Sequence, residues 1–231
     1  NGVWASEVLA EAKGLVKCPK DLPAEQLALS FINPPTAWRV LSDFGKKLPE
    51  GSVVLTNAGK SAVSQAFIQL AARRGLKVCV VVRGKTPEDV SYLKSLGAAE
   101  VWDEEEGYEK NKVEASLALN QVGGESVLRL IKALGEGGIC VTIGGAAKES
   151  VRYPTRELIF KDIELRGFWM DKWYRSNSKT KTQAMWDNLW DKMREGKLSQ
   201  PVDKTYPLEK WLEALQRAQE QGRKGKVLFV G

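Results

Sequence analysis

The 231-residue chain contains no histidine, and its three cysteines, Cys18, Cys79 and Cys140, stand far apart. The first absence removes every mechanism in which an imidazole activates a serine or cysteine, and every zinc site with a histidine ligand. The scarcity of cysteine removes an all-thiolate zinc site. Cys79 and Cys140 lie inside strand-like apolar runs, so the thiols read as buried and free, in a reducing compartment. Long apolar runs are missing as well: none approaches the ~20 residues of a membrane-spanning helix. There is no internal repeat, low-complexity tract or long linker. Any chemistry must use carboxylates, lysine, tyrosine, hydroxyls or a bound cofactor, and no metal site is expected.

What remains is ordinary globular composition, with 43% hydrophobic and 28% charged residues. The length suits one large domain, or one domain with a small extension. The net charge of +6 tilts the expectation toward anionic ligands. The opening residues Val3, Trp4, Ser6 and Val8 read as already globular, with neither a signal nor a transit peptide.

The chain is organised around Ser52 to Arg83. Val53, Val54 and Leu55 form a β-branched run that ends in the small-residue turn Asn57-Ala58-Gly59-Lys60-Ser61. Val63, Ala66, Phe67, Leu70 and Ala71 then follow at helical spacing, Gly75 closes the helix, and Val78, Val80, Val81 and Val82 make a second run. Strand, turn, helix and strand in this order predict a βαβ unit with two parallel strands. Such a turn gathers backbone N–H groups and the positive end of a helix dipole, which suits a phosphate.

Elsewhere, residues 1–20 read as one or two short strands. Asp21 is expected to cap a helix through Ser30, Asn33-Pro34-Pro35 to break it, and Thr36 to cap the next. Thr86 opens another helix, Val101-Trp102 a strand, and Asp103 to Glu106 a solvated acidic loop. Further strands are expected at Ser116–Asn120, Gly138–Ile143, Glu164–Trp169 and Lys226–Val230, with helices at Gly124–Leu134, Lys179–Glu195 and Leu208–Gln221. The alternation predicts an α/β fold with a doubly wound, Rossmann-type parallel sheet.

Gly59-Lys60-Ser61 imitates the end of a P-loop, but the first glycine of that pattern would fall at Val54, inside the strand. A dinucleotide turn fits better, with Ala62 and Ser64 standing where glycines are usual; a plain structural turn fits the loop equally well. Arg83 ends the second strand, where an acidic residue would select NAD and an arginine admits the 2′-phosphate of NADP. An exposed arginine at a strand end is the alternative. Gly144-Gly145 at another strand end would let backbone approach a flat ring, or make an ordinary turn. Lys172 to Lys181 mixes Trp173 and Tyr174 with basic residues; a loop leading into a helix is favoured there over a nucleic-acid surface.

Several blocks then occur in order: Asn33-Pro34-Pro35-Thr36-Ala37-Trp38-Arg39, Asn57-Ala58, Val81-Val82-Arg83, Leu93 to Ala98, Asn120 to Gly124, Gly144 to Lys148, and Leu158 to Trp169. In them the chain resembles the mitochondrial 2-enoyl thioester reductases, medium-chain dehydrogenase/reductases without zinc. The resemblance implies an NADPH-dependent reductase of trans-2-enoyl-acyl carrier protein or enoyl-CoA in mitochondrial fatty acid synthesis. It implies Asn33 on the nicotinamide side, Lys60, Ser61, Ala62 and Val63 at the pyrophosphate, and Arg83 with Lys85 at the 2′-phosphate. Ile143, Gly144, Gly145 and Ala146, with Phe168, Trp169, Met170 and Asp171, would line the nicotinamide pocket, and Lys226 would complete the site.

The same resemblance makes residues 1–20 a remnant of a GroES-like substrate domain and residues 21–231 the NADP-binding domain. The part that supplies the family's catalytic tyrosine has no counterpart here, so no tyrosine of this chain inherits that role. Two functions stay open: the cofactor portion of the reductase, or a non-catalytic reductase-derived subunit of a larger mitochondrial complex. The expected partners are an enoyl thioester if the chain is active, and a second copy or a larger assembly, with no nucleic acid.

Overall fold

Largely apolar segments form the strands Val53–Thr56 (β1), Lys77–Val82 (β2), Ala98–Asp103 (β3), Ala115–Asn120 (β4) and Leu134–Thr142 (β5), and the exposed Glu164–Gly167 (β6) adds an edge strand. The computed structural model describes residues 4–220 and 222–230. These six strands make one sheet in the order β3-β2-β1-β4-β5-β6, with every neighbouring pair parallel. Parallel pairing demands crossovers, and helices Ala62–Ala72 (α3), Pro87–Ser95 (α4) and Gly124–Lys132 (α5) supply those from β1 to β2, β2 to β3 and β4 to β5. Both faces of the sheet are covered, which is why β2 is buried from Val78 to Val82. Val78, Val80 and Val82 pack with α3, with Asn33–Asp43 (α2) and with Lys179–Arg194 (α8); Cys79 and Val81 pack with α5 on the other face. The fold is therefore the expected doubly wound α/β sheet. The strand order reverses between β1 and β4, and ligands of such sheets bind beyond the carboxyl ends of the strands at that point.

Several local expectations are corrected. Residues 4–20 contain no strand, only a 3-10 turn at Ala12–Gly14; Trp4, Val8, Leu9 and Leu15 stay exposed, and no neighbouring strand pairs with them. Val3 lies outside the described residues. The prolines do not break a helix but begin one: α2 starts at Asn33, and Pro34 and Pro35 occupy its first turn, where an N–H has no intrahelical acceptor anyway. Thr36 is no cap; its hydroxyl donates back to the Ile32 carbonyl at 2.6 Å. The first helix, Ala24–Leu29 (α1), has Pro23 before it, while Asp21 pairs with Arg194 at 2.7 Å. Asp103 is not solvated: it is buried, and its carboxylate accepts from the Lys85 N–H at 2.6 Å and the Glu105 N–H at 2.8 Å.

Residues 172–175, expected as part of a loop leading into a helix, instead lie in the helix Met170–Arg175 (α7), and the structure adds the helix Thr155–Phe160 (α6) and the strand Val202–Tyr206 (β7). After helix Trp211–Gln219 (α9), the last strand, Lys226–Phe229 (β8), pairs in parallel with β7 in a separate two-stranded sheet.

Candidate functional site: a cleft at the strand-order reversal

The turn after β1 is shaped by packing before any ligand is considered. A Cβ on Gly59 would lie 2.2 Å from Val80 Cγ1 and 2.8 Å from Val82 Cγ1, so only glycine lets the turn lie against β2. The Gly59 N–H donates to the Val81 carbonyl at 2.9 Å. Ser61 caps α3: its Oγ accepts the Ser64 N–H at 3.1 Å and its carbonyl the Gln65 N–H at 3.0 Å. Helix geometry leaves the N–H groups of Ala62 and Val63 without an intrahelical acceptor.

A buried polar network joins this turn to the one after β4. Asn57 Nδ2 donates to Asn120 Oδ1 at 2.9 Å and to Ser126 Oγ at 3.0 Å, while Asn57 Oδ1 accepts the Gln121 N–H at 2.8 Å. Asn120 Oδ1 also accepts the N–H groups of Val122 and Gly123, at 3.2 and 3.1 Å. Gln121 reaches back across the reversal: its Nε2 donates to Ser64 Oγ at 2.6 Å, and its Oε1 accepts from Ser61 Oγ at 2.9 Å. Ser64, in the packing position of a dinucleotide turn, thus keeps a hydroxyl because Thr56, Asn57 and Gln121 satisfy it.

Beyond these turns lies a cleft of about 710 Å³, lined by Lys60, Ser61, Ala62, Arg83, Glu104 and Ala146 among others. Its far wall comes from the C-terminal segment: Glu220, Gly222, Arg223, Gly225 and Lys226. Of the residues singled out in the sequence, the cleft brings together Lys60, Ser61, Ala62, Arg83, Ala146 and Lys226. Val63 is half-buried against the core. Lys85 is drawn to the acidic loop, its Nζ 2.9 Å from Glu106. Ile143, Gly144 and Gly145 follow β5 outside the cleft lining, and the Ala146 N–H donates to the Gln121 carbonyl at 3.0 Å.

Asn33 begins α2, also apart from the lining. Phe168 continues the β5–β6 pairing through its N–H to the Thr142 carbonyl, Trp169 precedes α7 and is 61% exposed, Met170 is buried, and Asp171 pairs with Arg175. Ala146 apart, the nicotinamide-side residues therefore stand at the ends of β5 and β6 and at the start of α2, outside the lining of the cleft that holds the turn.

Lys60 does not fill the cleft. Its ammonium is 2.9 Å from Asp89, which also lies 3.9 Å from Lys224 Nζ. Burial pushes the Asp89 carboxyl up, but the Lys60 hydrogen bond and charge, with the hydrogen bonds of Thr86, outweigh it and hold the group below the usual carboxylate value. The sequence reading missed Asn57, Asn120 and Gln121 as site builders and Gln65 and Asp89 as supports. One signal was available: Gln65 and Gln69 sit four apart in a helix that is otherwise small or apolar. Among the described residues no group of three or more histidine, cysteine, aspartate or glutamate side chains could hold a metal, and no helix is long and apolar enough to cross a membrane.

Residues 96–228 match the family model described as zinc-binding dehydrogenase. The mitochondrial enoyl-[acyl-carrier-protein] reductase of Dictyostelium discoideum is 36% identical over 99% of this chain and 67% of its own length. The human enzyme of the same name is 38% identical over 93% of this chain and 60% of its own. The chain thus spans about three fifths to two thirds of these relatives. Among solved structures, the Etr1p/NADP/crotonyl-CoA complex superposes with a TM-score of 0.81 at 27% identity, covering 91% of this chain and 62% of that one. The mitochondrial 2-enoyl thioester reductase Etr1p/Etr2p heterodimer from Candida tropicalis gives 0.78 at 27% identity, covering 86% and 60%.

Proposed function

Because the chain belongs to the mitochondrial enoyl-[acyl-carrier-protein] reductase family of medium-chain dehydrogenase/reductases, we propose that it is the NADPH-binding portion of a trans-2-enoyl-thioester reductase. The observation that carries this is Arg83, which follows the carboxyl end of β2 and lines the same cleft as the N-terminus of α3. An arginine there answers an additional phosphate, and the N–H groups of Ala62 and Val63 answer a pyrophosphate. Both fit a dinucleotide phosphorylated at the 2′ position.

When bound, NADPH supplies the hydride that an enoyl thioester accepts at Cβ. The chain's own residues bind and orient. Arg83, with Lys85 beside it in sequence, holds the 2′-phosphate; Lys60 shapes the turn; Asn33, Ile143 to Ala146 and Phe168 to Asp171 belong to the nicotinamide half, and Lys226 completes the site. Residues 1–20 are a remnant of the preceding substrate domain, and residues 21–231 form the cofactor domain. Relatives carry "mitochondrial" in their names, and we place this chain in the same compartment.

A second copy is the partner we assign to the β6 edge. β6 is exposed along its length, Leu165 projects there at 40% exposure, and Ile159 and Phe160 of the adjoining α6 are 66% and 77% exposed. Light scattering should give a dimer mass that Leu165→Lys with Phe160→Lys reduces to the monomer; an unchanged mass removes this assignment.

One observation favours a second reading, a non-catalytic reductase-derived subunit of a larger complex: Ala62 puts a methyl group on the cleft where a dinucleotide turn usually carries glycine. Fluorescence titration separates the two. NADPH binding, NADH about tenfold or more weaker, and loss of that preference in Arg83→Ala support the cofactor domain. No binding of either nucleotide at millimolar concentration leaves the structural subunit.

A further inference from the structure

The cleft has a second wall that belongs to no strand of the main sheet. Residues 222–226 lead into β8, and Gly222, Arg223, Gly225 and Lys226 of this strap line the cleft opposite the α3 turn. On one side the strap is pressed onto the start of β7: a Cβ on Gly225 would lie 2.5 Å from the Asp203 nitrogen and 2.8 Å from the Pro201 carbonyl oxygen, and the Lys226 N–H donates to the Pro201 carbonyl at 2.9 Å. On the other, Gln65, wholly buried in α3, donates through Nε2 to the Lys224 carbonyl at 2.9 Å and to the Lys60 carbonyl at 2.9 Å. Tyr92 of α4 fixes the amide by donating its hydroxyl to Gln65 Oε1 at 2.6 Å. Burial pushes the Tyr92 hydroxyl up, so it stays protonated and a donor across the physiological range.

One amide therefore grips both walls: Lys60 in the phosphate turn and Lys224 in the strap, 164 positions later in the chain. Asp89 repeats the connection electrostatically, between the ammonium groups of the same two lysines.

We propose that Gln65, locked by Tyr92, is a positioning residue that sets the width of the cofactor cleft by clasping the strap to the phosphate turn; this rests on the cofactor reading given above. Gln65 need not touch the nucleotide. Its two donated bonds leave the carbonyls of Lys60 and Lys224 satisfied with the walls at one separation; without them β8 still holds the strap to β7, but toward the turn side Lys224 keeps its side-chain contacts with Asp89 and Tyr92 and loses its backbone anchor. An apolar side chain of similar volume keeps the packing of α3, removes the clasp and leaves the Tyr92 hydroxyl without its Gln65 acceptor, so some loss of stability accompanies the change.

The test compares wild type, Gln65→Leu and Tyr92→Phe in the intact chain by three readouts: trypsin cleavage after Arg223 and Lys224, NADPH affinity, and the thermal midpoint. In Gln65→Leu, cleavage at these bonds should rise by about tenfold and NADPH affinity fall by about tenfold, with Tyr92→Phe between it and wild type. NADPH should slow the cleavage in wild type and much less in Gln65→Leu.

Faster cleavage with unchanged NADPH affinity overturns the positioning role, as does a lower thermal midpoint with neither of the other changes. Gln65→Leu indistinguishable from wild type in all three overturns the clasp itself, with the cofactor reading intact. A wild-type chain that binds no NADPH overturns the cofactor reading, and this inference with it.

Discussion

Gly59→Ala is the sharpest perturbation of the site that leaves its charges alone. The new methyl would meet Val80 Cγ1 at 2.2 Å, Val82 Cγ1 at 2.8 Å and the Val81 carbonyl oxygen at 3.1 Å. Val80 and Val82 are fully or almost fully buried in the middle of the sheet and have no room to turn away. The turn itself must retreat, by roughly an ångström, to restore ordinary van der Waals separation. That movement stretches the 2.9 Å hydrogen bond from the Gly59 N–H to the Val81 carbonyl.

Overpacking of this kind costs about 1–3 kcal/mol and the weakened bond about 1 kcal/mol, so unfolding in denaturant should report a loss of about 2–4 kcal/mol. Val80→Ala alone should cost about 2 kcal/mol through the cavity it opens. It opens that cavity where the methyl needs space, so the double variant should be more stable than the two losses predict by about 1–2 kcal/mol. Gly59→Ala at wild-type stability, or strict additivity of the pair, refutes the claim that β2 dictates the glycine.

Two other measurements probe the supports of the cleft. Asn120→Ala removes the acceptor shared by Asn57 and by the N–H groups of Val122 and Gly123, and leaves buried donors unpaired. It should destabilise the chain by about 2–4 kcal/mol in denaturant unfolding, and a loss below about 1 kcal/mol contradicts the network. The Asp89 carboxyl is held below its ordinary value of 3.8 in the folded chain. Its contribution to stability is complete above that value, fades as the pH falls through 3.8, and is gone below the folded-state value. Asp89→Asn should therefore flatten this part of the acid unfolding curve, and an unchanged curve removes the Lys60–Asp89–Lys224 link.

The parallel sheet was legible because its strands announce themselves. Val78 to Val82 is buried on both faces, and no other residue types serve that place so well. The helix start at Thr86 was legible because Pro87 suits a first turn and Glu88 its dipole; the reciprocal box of Thr86 with Asp89 is what the structure adds. The start of α2 was not, because Pro34 and Pro35 forbid a helix interior and suit a first turn equally, and only the tertiary position decides between them. β7 hid because Asp203, Lys204 and Thr205 break any apolar alternation, and its one partner, β8, lies about twenty residues further on.

The cleft was half legible. Residues on the phosphate turn and at the end of β2 could be placed by the βαβ pattern. The far wall could not, since residues 222–226 reach it through contacts with α3 and α4 that no local spacing encodes. Gln65 shows the limit well: a glutamine in a helix reads as solvent-facing until the strap is seen lying over it.

The account's central claim is that this cleft recognises the phosphorylated adenosine half of a dinucleotide, which calorimetry tests with fragments lacking the nicotinamide. ADP-ribose and its 2′-phosphorylated form differ only in the group assigned to Arg83. The account predicts that the 2′-phosphorylated fragment binds about 10- to 100-fold more tightly, and that Arg83→Ala brings the two together. Equal affinities in the wild-type chain, or no binding of either fragment, would contradict it.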